Sequence, residues 1–342
     1  MSSPMSNQNL RFAGVSAGVV LALLTGCSTA TLPTPHPVAA TDTPVLTEEQ
    51  NLAVLAAVNA TLAEASAQRD ATLLAPRVTG PALQIRTSQL QVAQVLGDDS
   101  LVTVIPDHYQ QLIIPTTQSW PRTAFAITDV TEELHPPRLL ALEQATAREP
   151  YRLWGWVQLR AGVEMPAFAD ARIGSQEVAP DDTTLRVTPE EAVNQYADLL
   201  TNGGGSAFNE NFEPLENDHF RFFLATWVAA QQEALSADRV EGTYSLVVRP
   251  SGSGIKAVRS ADGGALVMAE LLLNERLEAV EGAVLSPQTQ TAQALLTGQE
   301  FTNVLTAQYR DMIALHVPPA GSGEPIRLLG YNHIQVGATV GP

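Results

Sequence analysis

Six histidines stand at His36, His108, His135, His219, His316 and His333, and no two fall at a spacing that would hold a metal from one helix or turn. His316 and His333 lie on two C-terminal strand-like segments, where a hairpin could bring their imidazoles together for acid–base or metal chemistry. Trp154 and Trp156 alternate along one strand, either as an aromatic wall for a ligand or, the plainer reading, as packing for the sheet. The acid pairs Glu48-Glu49, Glu132-Glu133, Asp181-Asp182 and Glu190-Glu191 sit at helix starts or in loops, where the helix dipole or solvent explains them better than a catalytic couple does. Lys256 is the only lysine, which excludes most lysine-dependent schemes, and there is no glycine-rich phosphate loop, His-Glu-x-x-His pair, Gly-x-Ser-x-Gly elbow or Ser-x-x-Lys motif. No catalytic residue, metal or cofactor is therefore assigned. The single thiol, Cys27, leaves the rest of the chain without disulfides or thiolate metal sites.

Cys27 closes an apolar leader. Arg11 is the one charge before it, and the thirteen residues from Phe12 to Leu24 are apolar or small. Such a run suits a signal-peptide core of ~7–15 residues and is short of the ~20 that a membrane-crossing helix needs. Leu24-Thr25-Gly26-Cys27 resembles the lipobox of bacterial lipoproteins, which implies diacylation of the Cys27 sulfur and removal of residues 1–26. Two acyl chains anchor a protein stably where one is marginal. The expected location is the extracytoplasmic face of the cell membrane, with the membrane itself, through Cys27, as one partner.

After the leader, 342 − 26 = 316 residues remain, long for one hydrophobic core. Net charge is 19 − 36 = −17, which argues against nucleic acid and against a body lying flat on anionic headgroups. Eighteen arginines against one lysine resemble the usage of secreted proteins from high-GC Gram-positive bacteria. Residues 27–46, rich in Pro, Thr and Ala, read as a disordered tether.

Thr47-Glu48-Glu49-Gln50 carries a capping-box pattern, followed by Leu52, Leu55, Val58 and Leu62 at helical spacing. A second helix is expected from Pro81 to Leu96, then strands over 101–105, 109–114, 123–130 and 151–159. The pattern restarts at Thr188-Pro189-Glu190-Glu191, another capping signature, and Asp218 caps a helix with Phe220, Phe223, Leu224 and Trp227 in a stripe. Strands are expected over 243–249, 255–259 and 265–273, with Ser251-Gly252-Ser253-Gly254 and Asp262-Gly263-Gly264 as hairpin turns, and a last antiparallel pair over 309–317 and 326–336.

The expected fold class is α+β in two tandem halves, residues 47–180 and 188–342, each with N-terminal helices on a curved antiparallel sheet. Each half resembles cystatin-like and nuclear-transport-factor-like folds, and the repeated order suggests a distant duplication. The lipobox, the tether and Pro150-Tyr151-Arg152-Leu153-Trp154 together resemble a family of uncharacterised actinobacterial secreted lipoproteins. That resemblance implies no catalytic residue. Three functions stay open, in this order: a non-catalytic envelope lipoprotein displaying its domains to a protein or cell-wall partner; a small-ligand binder or enzyme using a concave pocket, with Trp154, Trp156, His316 and His333 as candidate residues; and a solute-binding component of a transporter.

Overall fold

A computed structural model describes residues 43–130, 136–237 and 241–341. The leader, Leu24 to Cys27, His36, Glu132-Glu133 and His135 lie outside the described residues, and of the 27–46 tether only residues 43–46 fall within them. There the Val45 amide donates to the Pro115 carbonyl at 3.1 Å and Leu46 packs on the core.

Helix α1 (Glu48–Gln68) begins at Thr47, whose hydroxyl accepts from the Gln50 amide while the Gln50 side chain returns to the Thr47 amide. It ends at Arg69 in the left-handed conformation, φ 50°. Helix α2 (Gly80–Leu96) starts with Pro81 in its first turn and stops at Gly97. A four-strand antiparallel meander follows: β1 (Tyr109–Ile113), β2 (Arg122–Thr128), β3 (Arg138–Gln144) and β4 (Arg152–Leu159). The order then repeats. Helix α3 (Pro189–Asn202) carries the second capping box at Thr188 and Glu191, and α4 (His219–Ala237) follows with Asp218 accepting from the Arg221 amide at 3.0 Å. Strands β5 (Gly242–Arg259), β6 (Ala265–Ala279), β7 (Val304–Val317) and β8 (Arg327–Val340) make a second meander, interrupted only by the short α5 (Gln290–Leu295).

The two meanders form one eight-stranded sheet in the order β1-β2-β3-β4-β8-β7-β6-β5, joined last strand to last strand. The joint is narrow: Gln158↔Tyr331 and Leu159↔Gly330 pair across it, and the Arg160 amide donates to the Leu329 carbonyl at 3.0 Å. Beyond them the Asn332 amide continues the ladder, donating to Trp156 O at 2.7 Å and accepting from Gln158 N at 3.1 Å. Gly330 is required there because a Cβ would come within 2.4 Å of the Gln158 carbonyl. At the far side, the strap 175–178 bonds to both outer strands' ends: Ser175 N to Ile114 O, and Arg259 N to Gln176 O. The curled sheet is thus bridged edge to edge.

One apolar cluster joins α1, α2 and the first meander to Leu266, Met268, Met312 and Ala314 of the second; the other joins α3 and α4 to the opposite face of β5–β8. Gly155 makes room for this, since a Cβ there would lie 2.6 Å from the Met312 methyl. A buried ion pair, Lys256 with Glu143, also crosses between β5 and β3.

The structure corrects two sequence expectations and adds a strand. Residues 101–105 are not a strand, because side chains satisfy that backbone: Arg86 and Arg138 donate to the Thr103 and Val104 carbonyls at 2.8 and 2.7 Å. Ser251–Gly254 is not a hairpin turn but a bulge inside one long β5, four residues opposite Glu270 alone, with Gly252 and Gly254 at φ 79° and 89°. The strand β3 had no expectation at all. Its run Arg138-Leu139-Leu140-Ala141-Leu142 is helix-favouring and does not alternate, yet pairing on both edges and burial on both faces make it a strand.

Candidate ligand groove

A groove of about 980 Å³ lies between α1 and residues 99–109. Helical spacing turns Leu52, Ala56, Ala60 and Ala63 outward from α1 to form one wall, and the loop supplies Val102 and Val104 opposite. The small side chains keep the groove open. Ligand pockets typically span ~300–1,000 Å³, mostly apolar with a few polar groups, and this groove fits that description.

Its polar features come from three elements. Asn59 of α1 donates to the Tyr109 hydroxyl at 2.7 Å, and burial pushes the Tyr109 phenol up to about 12. Asp99 is held at the rim by Arg69 at 2.8 Å. Arg86, from the core-facing side of α2, is only 2% exposed; its guanidinium carbon lies 5.5 Å from the Trp156 ring centroid. Gln89 bonds Thr103 in both directions, which fixes the loop against α2.

Trp156 and Trp154 are both buried. A bulge leaves Trp154 unpaired opposite β3, interrupting strict alternation, and the two rings meet different neighbours. Trp156 lies beneath Arg86, whereas Trp154 abuts Gly80 of α2 and has the Lys256 ammonium 5.4 Å from its centroid. Neither lines the groove.

His316 and His333 are not brought together. On the β7–β8 ladder His316 sits opposite Arg327 and His333 opposite Asp311, five residues along β7. His316 is fully buried beside Asp262, 3.1 Å away, and burial lowers its pKa. His333 bonds Asp311 at 2.8 Å, stacks on Tyr309 at 4.2 Å between centroids, and is flanked by Phe220 and Phe223. Burial raises the Asp311 pKa despite that histidine. An acid–base couple exists, but aromatic rings cover it. Nearby, Glu275 accepts from Trp227 Nε1 and, at 2.6 Å, from the Tyr244 hydroxyl, lining a cavity of about 60 Å³ with room for a few waters only. Among the described residues no group of three or more His, Cys, Asp or Glu is placed to hold a metal ion.

Sequence reasoning singled out none of the groove residues as a site. The signal available for Arg86 was its place in an apolar stripe, with Ala82, Ile85, Leu90 and Ala93 buried around it.

No helix among the described residues is long and apolar enough to cross a membrane. No solved structure is found to match the chain. The chain is similar to a protein of Streptomyces avermitilis named "Uncharacterized lipoprotein", 24% identical over 268 residues that cover 76% of each chain. A family described as Domain of unknown function (DUF8094) matches residues 42–339, which takes in every helix among the described residues and both meanders but for the last residue of β8. The chain therefore belongs to the DUF8094 family.

Proposed function

We propose that this protein is an envelope lipoprotein, acylated at Cys27 and held on the extracytoplasmic face, that binds a small ligand in the groove between α1 and residues 99–109. The lipobox-like Leu24-Thr25-Gly26-Cys27 and the similar Streptomyces protein's name support the anchor. The groove carries the binding reading: its volume of about 980 Å³ and its mainly apolar walls suit a small molecule, not an extended partner surface. The grouping of strands into meanders speaks against a transporter's solute-binding component, whose strands alternate with helices. The two halves are read as a duplicated helix-pair-and-meander unit, of the cystatin-like or nuclear-transport-factor-like kind; the repeated element order and the mirrored strand order support this.

Filling the groove tests the binding reading. Ala60 faces the groove from the exposed side of α1, so Ala60→Trp occupies the space without entering the core. N-phenyl-1-naphthylamine, an uncharged fluorescent probe, is expected to brighten with the wild-type chain and to bind about tenfold more weakly or worse to Ala60→Trp at unchanged melting temperature. Equal binding by the two proteins, or no binding by wild type, would overturn the reading. The anchor is checked in the same cells, where Cys27→Ser is expected to move the protein from the membrane fraction to the soluble one; retention would contradict acylation.

A further inference from the structure

Several buried or half-buried cations in this fold sit beside acids. Lys256 meets Glu143, Arg310 meets Glu270 at 2.6 Å, and Arg259 meets Asp182. Arg86 does not. It is 2% exposed, and no carboxylate among the described residues pairs with it. Of the five N–H donors of a guanidinium, one hydrogen bond is in place, from Nη2 to Thr103 O, and Nε has no acceptor.

We propose that the ligand of the groove is a small amphipathic anion, an apolar body bearing one carboxylate or phosphate group, and that Arg86 receives its charged head. This rests on the groove being a ligand site at all. The acids at the groove rim are not free to serve Arg86: Asp99 is bound to Arg69, and Asp107 lies beside His108, with both side chains largely exposed. A second guanidinium, Arg138, is 9% exposed and donates to the carbonyl of groove residue Val104, adding positive charge behind the same wall. Burial and Arg138 together lower the Arg86 pKa to about 10, which leaves it cationic at neutral pH. A planar fork with unfilled donors in a low-dielectric setting favours the bidentate anions, carboxylate and phosphate. Leu52, Ala56, Ala60, Val102 and Val104 offer only apolar contact to the rest of such a molecule.

The test uses the full chain with Cys27→Ser, which has no thiol to acylate. It is titrated calorimetrically with octanoate, octyl phosphate and 1-octanol, which share one tail and differ in the head. At least one anion is expected to bind about tenfold more tightly than the alcohol, and the preferred anion identifies the head. Arg86→Met is expected to erase that preference while alcohol binding persists, and Arg86→Lys to keep part of it. Because Arg86 also pins the loop at Thr103, a purely structural role would lower the melting temperature of Arg86→Met without changing the anion-to-alcohol ratio. If the alcohol binds wild type as tightly as both anions, or if folded Arg86→Met keeps the preference, the anion assignment is overturned and the groove stands. If none of the three binds, both fall. Should Arg86→Met not fold, the wild-type ratio and Arg86→Gln decide.

Discussion

Trp156→Ala is expected to destabilise the protein by about 3–5 kcal/mol, the usual cost of truncating a buried tryptophan. Trp156 is fully buried in the middle of β4, the strand through which the meanders join, and it packs among residues of both. Its main-chain carbonyl accepts from Asn332, so a collapsing cavity there also loosens the narrow β4–β8 joint. The Arg86 guanidinium would lose the aromatic face beside it, leaving a buried cation with one carbonyl. Urea unfolding of wild type and variant measures the difference. A loss under about 1 kcal/mol would mean that the ring is not packed as described.

Arg310→Met should cost a similar amount, about 3–5 kcal/mol, for a different reason. The Glu270 side chain is completely buried, and its charge is met by Arg310 at 2.6 Å and by the Ser253 hydroxyl, also at 2.6 Å. Removing Arg310 strands that carboxylate in the interior with one hydroxyl. The double variant Arg310→Met, Glu270→Gln is expected to recover most of the loss, because the cost lies in the uncompensated charge and not in missing volume. If the double variant is as unstable as the single one, the loss comes from packing and the ion-pair account of this bulge is wrong.

The sequence announced those elements whose cause is local. Thr47 with Gln50, Thr188 with Glu191, Pro81 and Gly97 mark helix ends through bonds made within a few residues, and the structure has them where the pattern put them. The turn at Asp262-Gly263-Gly264 likewise joins β5 to β6. What could not be read depends on distant partners. Leu139 to Leu142 form a strand only because β2 and β4 supply both ladders, and the 101–105 backbone is satisfied by arginines from α2 and β3. The serine and glycine run at 251–254 reads as a turn until Glu270, buried opposite it, shows what Ser253 is for.

The site followed the same rule. Histidines and tryptophans draw notice in a sequence because of their chemistry, but Trp154, Trp156 and His316 are buried in the fold and His333 is half-buried, bonded to Asp311 and stacked on Tyr309. The groove is made of alanines on the outer face of α1, which carry no pattern of their own, and of one arginine whose meaning comes from the acid it lacks. A cavity is a relation between elements, and α1 and residues 99–109 are placed side by side by their common packing on the first meander.

Ligand binding between α1 and residues 99–109 is tested most directly by an NMR titration of protein carrying carbon-13 only in its alanine methyl groups, with octanoate and 1-octanol as probes. Ala56, Ala60, Ala63 and Ala67 line the groove, whereas Ala292 and Ala307 line the small cavity at Glu275 and serve as controls. The expected result is saturable movement of the four groove methyls with the two controls unmoved. Groove methyls that stay fixed at saturating probe, or movement confined to Ala292 and Ala307, would contradict a ligand site on this face of α1.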